Sequence, residues 1–248
     1  MCDVTTGRSI ASSRSIASGR SIASGRTLCG GTTLLTNLVA YYTLSDLLDS
    51  SSAGRTLTNN GVATFIAGKV GNCVHVENAS SQYLSRTDTA FAFTTGDFTI
   101  ALWGKVHTAG IFQRFAGRFT QAPQDGYTLA ATAFDSALDF ACAGPGGVSQ
   151  SSGPTMTTGQ WYFLVAWFDS VAGTANLQVD NGTINTGAAI VGGVDAANAD
   201  FHIGAFDNPA TDFSNVDVDE LGVWSRLLTA AERTTLYNGG TGLTWPLP

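Results

Sequence analysis

The side chains best suited to chemistry in this chain are three acidic residues near its end and three widely separated histidines. Asp217, Asp219 and Glu220 fall within four residues, and carboxylates held in a cleft can perform general acid–base chemistry. None of these residues belongs to a nucleophile elbow, a phosphate-binding loop, a zinc motif or a dinucleotide-binding motif. All the histidines are interpreted as ordinary structural side chains, and no catalytic activity is predicted. They are His75, His107 and His202.

A repeat of six residues aligns basic and aliphatic side chains at the start of the chain. Residues 7–30 read GRSIAS, SRSIAS, GRSIAS and GRTLCG. On a helix a step of six rotates the side chain by about 240°, so no stripe forms, whereas an extended chain keeps every member on one face. The repeat predicts an extended arm, residues 1–33, with a low-complexity tail as the alternative. The row expected to bind a partner is Arg8, Ile10, Arg14, Ile16, Arg20, Ile22, Arg26 and Leu28.

The charge distribution indicates what this arm would bind. Residues 1–30 carry a net charge of +3 in a chain whose formal net charge is −7, which leaves −10 on the remainder. A basic arm is attracted to an acidic surface, and four short repeats cannot bury their own apolar row. Sister subunits or another protein of an assembly are the expected partners. No stretch approaches about 18 consecutive apolar residues, so no membrane span is predicted, and no nucleic-acid partner is expected.

The four cysteines show no metal-binding spacing. Cys73 and Cys142 lie in apolar, strand-like runs, where buried free thiols are expected. Cys2 and Cys29 bracket the arm and could pair with each other or across subunits. The N-terminus has no apolar signal-peptide core, so a route without secretory processing is expected.

Composition and the closing segment together predict a β-rich domain with one short helix. Only 12% of residues are charged and 29 are glycine, which is typical of a turn-rich β protein with a large core. The alternation through Leu221 and Val223 predicts a strand. Thr229 followed by Glu232 has the spacing of a capping box and predicts the start of a helix, which Gly239 would end.

This closing segment resembles the end of laminin-G-like, concanavalin-A-like jelly-roll domains. The matching positions are Val218, Asp219, Glu220, Val223, Trp224, Arg226, Leu228, Thr229, Glu232, Leu236, Tyr237 and Asn238. Earlier segments resemble successive strands of that family in the same order, namely LVAYY at 38–42, GKVGN at 68–72, FTIALW at 98–103, GQWYFLV at 159–165, LQVDNG at 177–182 and FHIG at 201–204. The resemblance implies an all-β, antiparallel jelly-roll β-sandwich over residues 34–248, with one short C-terminal helix.

The same resemblance implies a possible metal site at the rim of the sandwich. Family members often bind Ca²⁺ there through a turn rich in aspartate and asparagine. The corresponding turn begins at Glu77 and Asn78, but Gln82 stands where an aspartate is usual. Glu77, Asn78 and Asp219 are therefore the calcium candidates, with a metal-free rim as the alternative. The resemblance also assigns core positions to Trp103, Trp161 and Trp224.

Two functional hypotheses follow, because this fold carries many kinds of site. The leading hypothesis is a non-enzymatic structural or adhesive protein on a virion surface, such as a bacteriophage capsid decoration or fibre-like component attached by its arm. The basic repeat, the lack of an export signal and the surface-interaction family favour it. The alternative is a carbohydrate-binding module for receptor recognition, on a virion or at a bacterial cell surface or outside the cell. A polysaccharide-cleaving enzyme is not expected.

Overall fold

The computed structural model describes residues 33–195, 198–206 and 210–248. Within these ranges 15 strands form two sheets, and one α-helix follows the last strand. The elements in chain order are β1 Leu38–Tyr42, β2 Thr58–Asn60, β3 Thr64–Ala67, β4 Asn72–Val76, β5 Tyr83–Arg86, β6 Phe98–Val106, β7 Gln113–Thr120, β8 Asp125–Ala131, β9 Ala137–Gly144, β10 Gly147–Thr155, β11 Trp161–Asp169, β12 Thr174–Val179, β13 Ile184–Thr186, β14 Phe201–Ile203, β15 Val216–Trp224 and α1 Ala230–Tyr237. Short 3₁₀ turns occur at Asn78–Ser80, Thr89–Phe91 and Asn238–Gly240.

The two sheets are antiparallel and form the expected sandwich. The first sheet has the order β13–β12–β11–β6–β15–β4–β3. The eighth strand, β1, pairs with β15 on the same side as β4 but with later residues of β15. The second sheet has the order β10–β9–β8–β7–β14–β5–β2. The all-β jelly-roll sandwich with one short C-terminal helix is therefore confirmed. The repeat of the predicted arm lies outside the described residues, so the division into an arm and a domain stays a prediction.

Alternation along the strands separates two layers of apolar side chains. On β6, Ile100 and Leu102 belong to the main core between the sheets, whereas Trp103 belongs to a second cluster on the outer face of the first sheet. The main core contains side chains from both sheets, such as Phe98 and Phe140, whose rings lie 6.2 Å apart. Burying each such ring contributes about 1.5–3 kcal/mol, so this layer holds the sheets together.

The second cluster is covered by α1 and by the C-terminal tail. Trp103 and Trp224 are buried, as expected, although both lie in this outer cluster. Trp161 is partly buried at its margin. Trp245 of the tail packs against Tyr41, with ring centroids 5.5 Å apart. The tail therefore covers the outer face of its own domain.

Cys73 and Cys142 are buried free thiols, as the sequence predicted. Burial raises the pKa of Cys73 to about 12 and raises the pKa of Cys142 well above its ordinary value. A protonated thiol is a poor nucleophile. Both cysteines are therefore packing residues.

The capping box predicted at the start of α1 is present. Thr229 Oγ1 accepts a hydrogen bond from the Glu232 amide at 3.2 Å, and Glu232 Oε2 accepts one from the Thr229 amide at 2.8 Å. Burial would raise the pKa of Glu232, but hydrogen bonds from Arg226 and Thr229 lower it to about 2. The helix ends at Tyr237, and Asn238 takes the left-handed conformation with φ of 47°. The predicted glycine stop, Gly239, lies one residue further on.

We expect Thr229→Ala to lower the free energy of unfolding by about 0.5–2 kcal/mol, because an N-cap side chain satisfies an otherwise unpaired amide. Thr235→Ala is the matched control, since Thr235 is an exposed helix threonine whose hydroxyl bonds only to the Ala231 carbonyl. Urea denaturation of both variants measures the difference. Equal stability of the two variants would contradict the capping role.

Candidate functional site

The structure describes none of the candidate residues of the predicted arm. Cys2, Cys29 and the row from Arg8 to Leu28 all lie outside the described residues. Their proposed roles in pairing and in binding a partner therefore stay predictions.

A groove on the outer face of the second sheet is a concave site with aromatic walls among the described residues. It encloses about 350 Å³, a volume within the usual range for small-ligand sites. We call it the aromatic groove. It is lined by Phe112, Arg114, Phe119, Gln121, Gln124, Thr128, Ala130, Thr132, Phe134, Asp139, Ala141, Gln150 and Phe206.

The shape of the aromatic groove follows from side-chain size along neighbouring strands. The outward positions on β8 and β9 include Thr128, Ala130 and Ala141, which are small. Their inward neighbours, such as Leu129 and Phe140, belong to the main core. Successive side chains of a strand point to opposite faces of the sheet, and here the large ones point inward. The centre of the outer face is therefore a depression surrounded by larger side chains.

A stack of rings and one guanidinium forms one wall of the groove. The Phe119 and Phe206 rings are stacked with centroids 5.1 Å apart. The Arg114 guanidinium carbon lies 3.9 Å from the Phe206 centroid and 4.5 Å from the Phe112 centroid. Burial lowers the pKa of Arg114, while an ion pair with Asp212 at 3.0 Å opposes that shift. The stack holds the apolar faces of the wall in a fixed orientation.

Phe134 and Asp139 supply the remaining recognition groups. The Phe134 side chain is 97% exposed, so its ring is available to a ligand. Asp139 Oδ2 accepts a hydrogen bond from Gln150 Nε2 at 2.8 Å, whereas Asp139 Oδ1 has no hydrogen-bond partner among the described residues. Because Asp139 Oδ1 is buried, the groove presents an apolar ring and the hydrogen-bonded pair of Asp139 Oδ2 and Gln150.

A group of charged and polar side chains surrounds Asp217 on the outer face of the first sheet. The Asp217 side chain is fully buried. Its Oδ1 lies 2.6 Å from His75 Nδ1 and 2.8 Å from His107 Nε2, and its Oδ2 lies 2.6 Å from Lys105 Nζ. Burial alone would raise the pKa of Asp217, but hydrogen bonds from Lys105, His75 and His107 outweigh it and lower that pKa. We call these four residues the Asp217 cluster.

Sequence reasoning missed this cluster. It treated the histidines as unrelated, and His75 is 142 residues from Asp217 in the chain. The strand register brings them together, because Asp217 pairs with His75 on β4 and with Lys105 on β6. His107 follows Lys105 by two residues, which places it on the same side as Lys105. That spacing was the one local signal in the sequence.

Asp219 and Glu220 are buried without a basic partner. Asp219 Oδ2 accepts a hydrogen bond from the Val70 amide at 2.8 Å, and Glu220 Oε2 accepts one from the Tyr41 hydroxyl at 2.5 Å. Burial raises the pKa of each carboxyl to about 7. Glu220 stands in a bulge of β15 with a left-handed φ of 48°. The hydrogen-bond partners of both residues belong to segments that wrap the outer cluster, which favours a structural role.

The three calcium candidates have partners of their own. Glu77 Oε1 lies 3.6 Å from His75 Nε2, Asn78 donates a side-chain hydrogen bond to the Phe213 carbonyl, and Asp219 is held by the Val70 amide. Gln82 Oε1 accepts a hydrogen bond from the Glu77 amide at 3.0 Å, so it closes the turn. The calcium site stays a prediction.

Comparison with known proteins identifies the family. A sequence model of the Concanavalin A-like lectin/glucanases superfamily matches residues 78–232, more than half of the chain. The chain belongs to this superfamily. No curated protein matches the sequence. Among the described residues, no helix is both long enough and apolar enough to cross a membrane.

Solved structures with this fold include domains from toxins and from an enzyme. The binding domain of Paraclostridial Mosquitocidal Protein 1 has a TM-score of 0.66 at 15% identity, over 83% of this chain and 53% of that one. The botulinum neurotoxin serotype G binding domain has a TM-score of 0.66 at 12% identity, over 81% and 50%. This chain thus spans about half of each toxin domain.

In a third similar structure, the match covers almost the whole of the other domain. Domain 4 of AbnA, an extracellular arabinanase from Geobacillus stearothermophilus solved in complex with arabinotriose, has a TM-score of 0.58 at 20% identity, over 84% of this chain and 98% of that one. At these identities the three comparisons show the fold.

We expect Glu220→Gln to flatten the pH dependence of stability. The folded pKa of Glu220 is raised from 4.5 to about 7, so the native state holds a proton that the unfolded state releases, and stability falls as pH rises through this range. The amide can still accept from Tyr41. Thermal unfolding from pH 4.5 to pH 8 measures the effect, with Asp46→Asn at an exposed position as the charge control. A wild-type slope retained in Glu220→Gln would contradict it.

Proposed function

We propose that this chain is a non-catalytic adhesion module that binds a glycan in the aromatic groove. The observation that carries the proposal is the groove itself, in which an exposed Phe134 ring borders a space next to an aromatic stack and the exposed hydrogen-bonded pair of Asp139 and Gln150. Of the two functional hypotheses from the sequence, this geometry favours the carbohydrate-binding one.

The chemistry of a sugar matches these groups. A pyranose or furanose ring has an apolar C–H face that packs on an aromatic ring, and its hydroxyl groups donate and accept hydrogen bonds at the edge. Asp139 Oδ2 and Gln150 Nε2 form an exposed hydrogen-bonded pair at 2.8 Å, to which sugar hydroxyl groups can donate and from which they can accept. Arg114 is paired with Asp212, whereas Asp139 has a neutral hydrogen-bond partner, Gln150, so the groove disfavours an anionic glycan and suits a neutral one.

Binding without cleavage is the expected outcome. Glycoside hydrolysis uses two carboxyl groups about 5–9.5 Å apart across the scissile bond. Among the described residues that line the groove, Asp139 is the one carboxylate. The likeness to domain 4 of the arabinanase, a domain solved with arabinotriose, supports a saccharide ligand of similar size.

We expect Phe134→Ala to weaken glycan binding by roughly ten- to a hundredfold, since covering a Phe ring is worth about 1.5–3 kcal/mol. The ligand is first found on an array of oligosaccharides, and titration calorimetry then compares the variants. Val171→Ala is the matched control, because Val171 is an equally exposed apolar residue in the β11–β12 turn of the other sheet. No bound glycan, or unchanged affinity in Phe134→Ala, would refute the proposal.

A finer proposal concerns where this module works. The repeated Arg and Ile row of residues 1–33 supports attachment to an acidic surface of an assembly, with a bacteriophage virion as the expected particle. The module would then be a surface component that presents its groove outward. Arginine pairs with carboxylates through a planar fork, so sister subunits or a capsid protein are the expected partners.

We expect deletion of residues 2–30 to leave a folded, glycan-binding domain that no longer joins its assembly. The arm would supply both the charge and the buried aliphatic row, at roughly 25 cal/mol per Å² of apolar area, so attachment of the full chain should persist at high salt. Co-sedimentation with purified particles measures occupancy. Undiminished occupancy of the truncated chain would refute attachment through the arm and leave glycan binding untouched.

A further inference from the structure

We propose that His75, His107 and Asp217 form a binding site for one Zn²⁺ ion on the outer face of the first sheet. Two imidazole nitrogens and one carboxylate oxygen converge there, and the three potential ligand atoms lie within 4.8 Å of one another. This site is independent of the aromatic groove, which lies on the outer face of the other sheet.

The donor set suits zinc better than a hard cation. Zn²⁺ binds imidazole nitrogen and carboxylate oxygen at about 2.0–2.2 Å, and sites with three protein ligands leave a fourth position for water or a ligand. Ca²⁺ and Mg²⁺ prefer sites made entirely of oxygen. The His107 side chain is 34% exposed, so the fourth position would face solvent.

Neighbouring groups hold Asp217 in a suitable orientation, and a carboxylate lies close to His75. A metal-binding histidine usually donates its second ring N–H to a carboxylate, and His75 Nε2 lies 3.6 Å from Glu77 Oε1. Lys105 Nζ contacts Asp217 Oδ2 at 2.6 Å and leaves Oδ1 directed at the two rings. The backbone amide of His107 donates to the Asn215 carbonyl at 3.0 Å.

The strands make this arrangement rigid. Asp217 is paired in register with His75 on β4 and with Lys105 on β6, and His107 directly follows the last residue of β6, so strand pairing fixes two ligands and the end of β6 positions the third. The His75 and His107 rings are perpendicular, with centroids 4.9 Å apart. Zinc would replace the two N–H protons that now point at Oδ1, with a small outward movement of the rings.

The competing explanation is an ion-pair cluster that only neutralises a buried carboxylate. Lys105 distinguishes the two explanations, because its charge stabilises Asp217 in the absence of metal and repels a bound cation. In an ion-pair cluster, Lys105→Met would leave a poorly compensated buried charge and lower stability, and zinc would not restore it. In a zinc site, the same variant would bind zinc more tightly and regain stability on binding.

The first experiment measures binding by the tag-free full chain after treatment with a chelator. Calorimetry should show one equivalent of Zn²⁺ bound, and Co²⁺ as a probe should give the visible absorption bands of a four- or five-coordinate site. Excess Mg²⁺ or Ca²⁺ should not displace it. A cobalt spectrum dominated by thiolate charge transfer would assign the metal to cysteines and overturn the proposal, as would the absence of stoichiometric binding.

Variants then test the ligands. His75→Gln and His107→Gln should abolish stoichiometric binding, whereas His202→Gln, which replaces the remaining histidine on β14, should retain it. Glu77→Gln should weaken binding by roughly 10- to 100-fold, as expected for a residue that orients a ligand. Should His75→Gln fail to fold, the more exposed His107→Gln decides the question. Zinc binding that survives His107→Gln, or no tightening in Lys105→Met, would overturn the proposal.

Discussion

The first sheet is organised around β15, a central strand that buries three carboxyl groups. All nine residues of β15 are buried, including Asp217, Asp219 and Glu220. A carboxylate removed from water is costly unless it is paired, hydrogen-bonded or protonated. Asp217 is paired with Lys105 and two histidines, whereas Asp219 and Glu220 receive hydrogen bonds and have a pKa near 7. Their partners lie on the surrounding strands and turns, so these carboxylates tie the centre of the first sheet to its neighbours.

This strand also explains how the first sheet gains an outer layer. β4 pairs with β15 over residues 216–218, and β1 pairs with it over residues 221–224. The bulge at Glu220 lies where one partner strand replaces the other. Tyr41 of β1 reaches Glu220 and contacts Trp245 of the tail. The outer cluster and the helix therefore cover the half of the sheet beyond the bulge.

Within the described ranges, no comparable layer covers the central strands of the second sheet, and its outer face is open there. Small outward residues on β8 and β9 leave a concave face, and the Phe119, Phe206, Arg114 and Phe112 stack borders it. One fold thus offers two chemically different faces. The first sheet presents a charged cluster beside a closed apolar layer, and the second presents an open groove bordered by aromatic rings.

Features that depend on local spacing could be predicted from the sequence. Period-two alternation predicted the strands, the Thr229 and Glu232 spacing predicted the helix start, and apolar neighbours predicted the buried thiols. The two candidate sites, in contrast, depend on how distant segments come together. Strand register joins His75 to Asp217 across 142 residues, and the groove requires β7 to β10 to lie side by side with Phe206 from a distant loop. Burial then sets the protonation of Glu220. These properties arise from distances between strands, which no local pattern encodes.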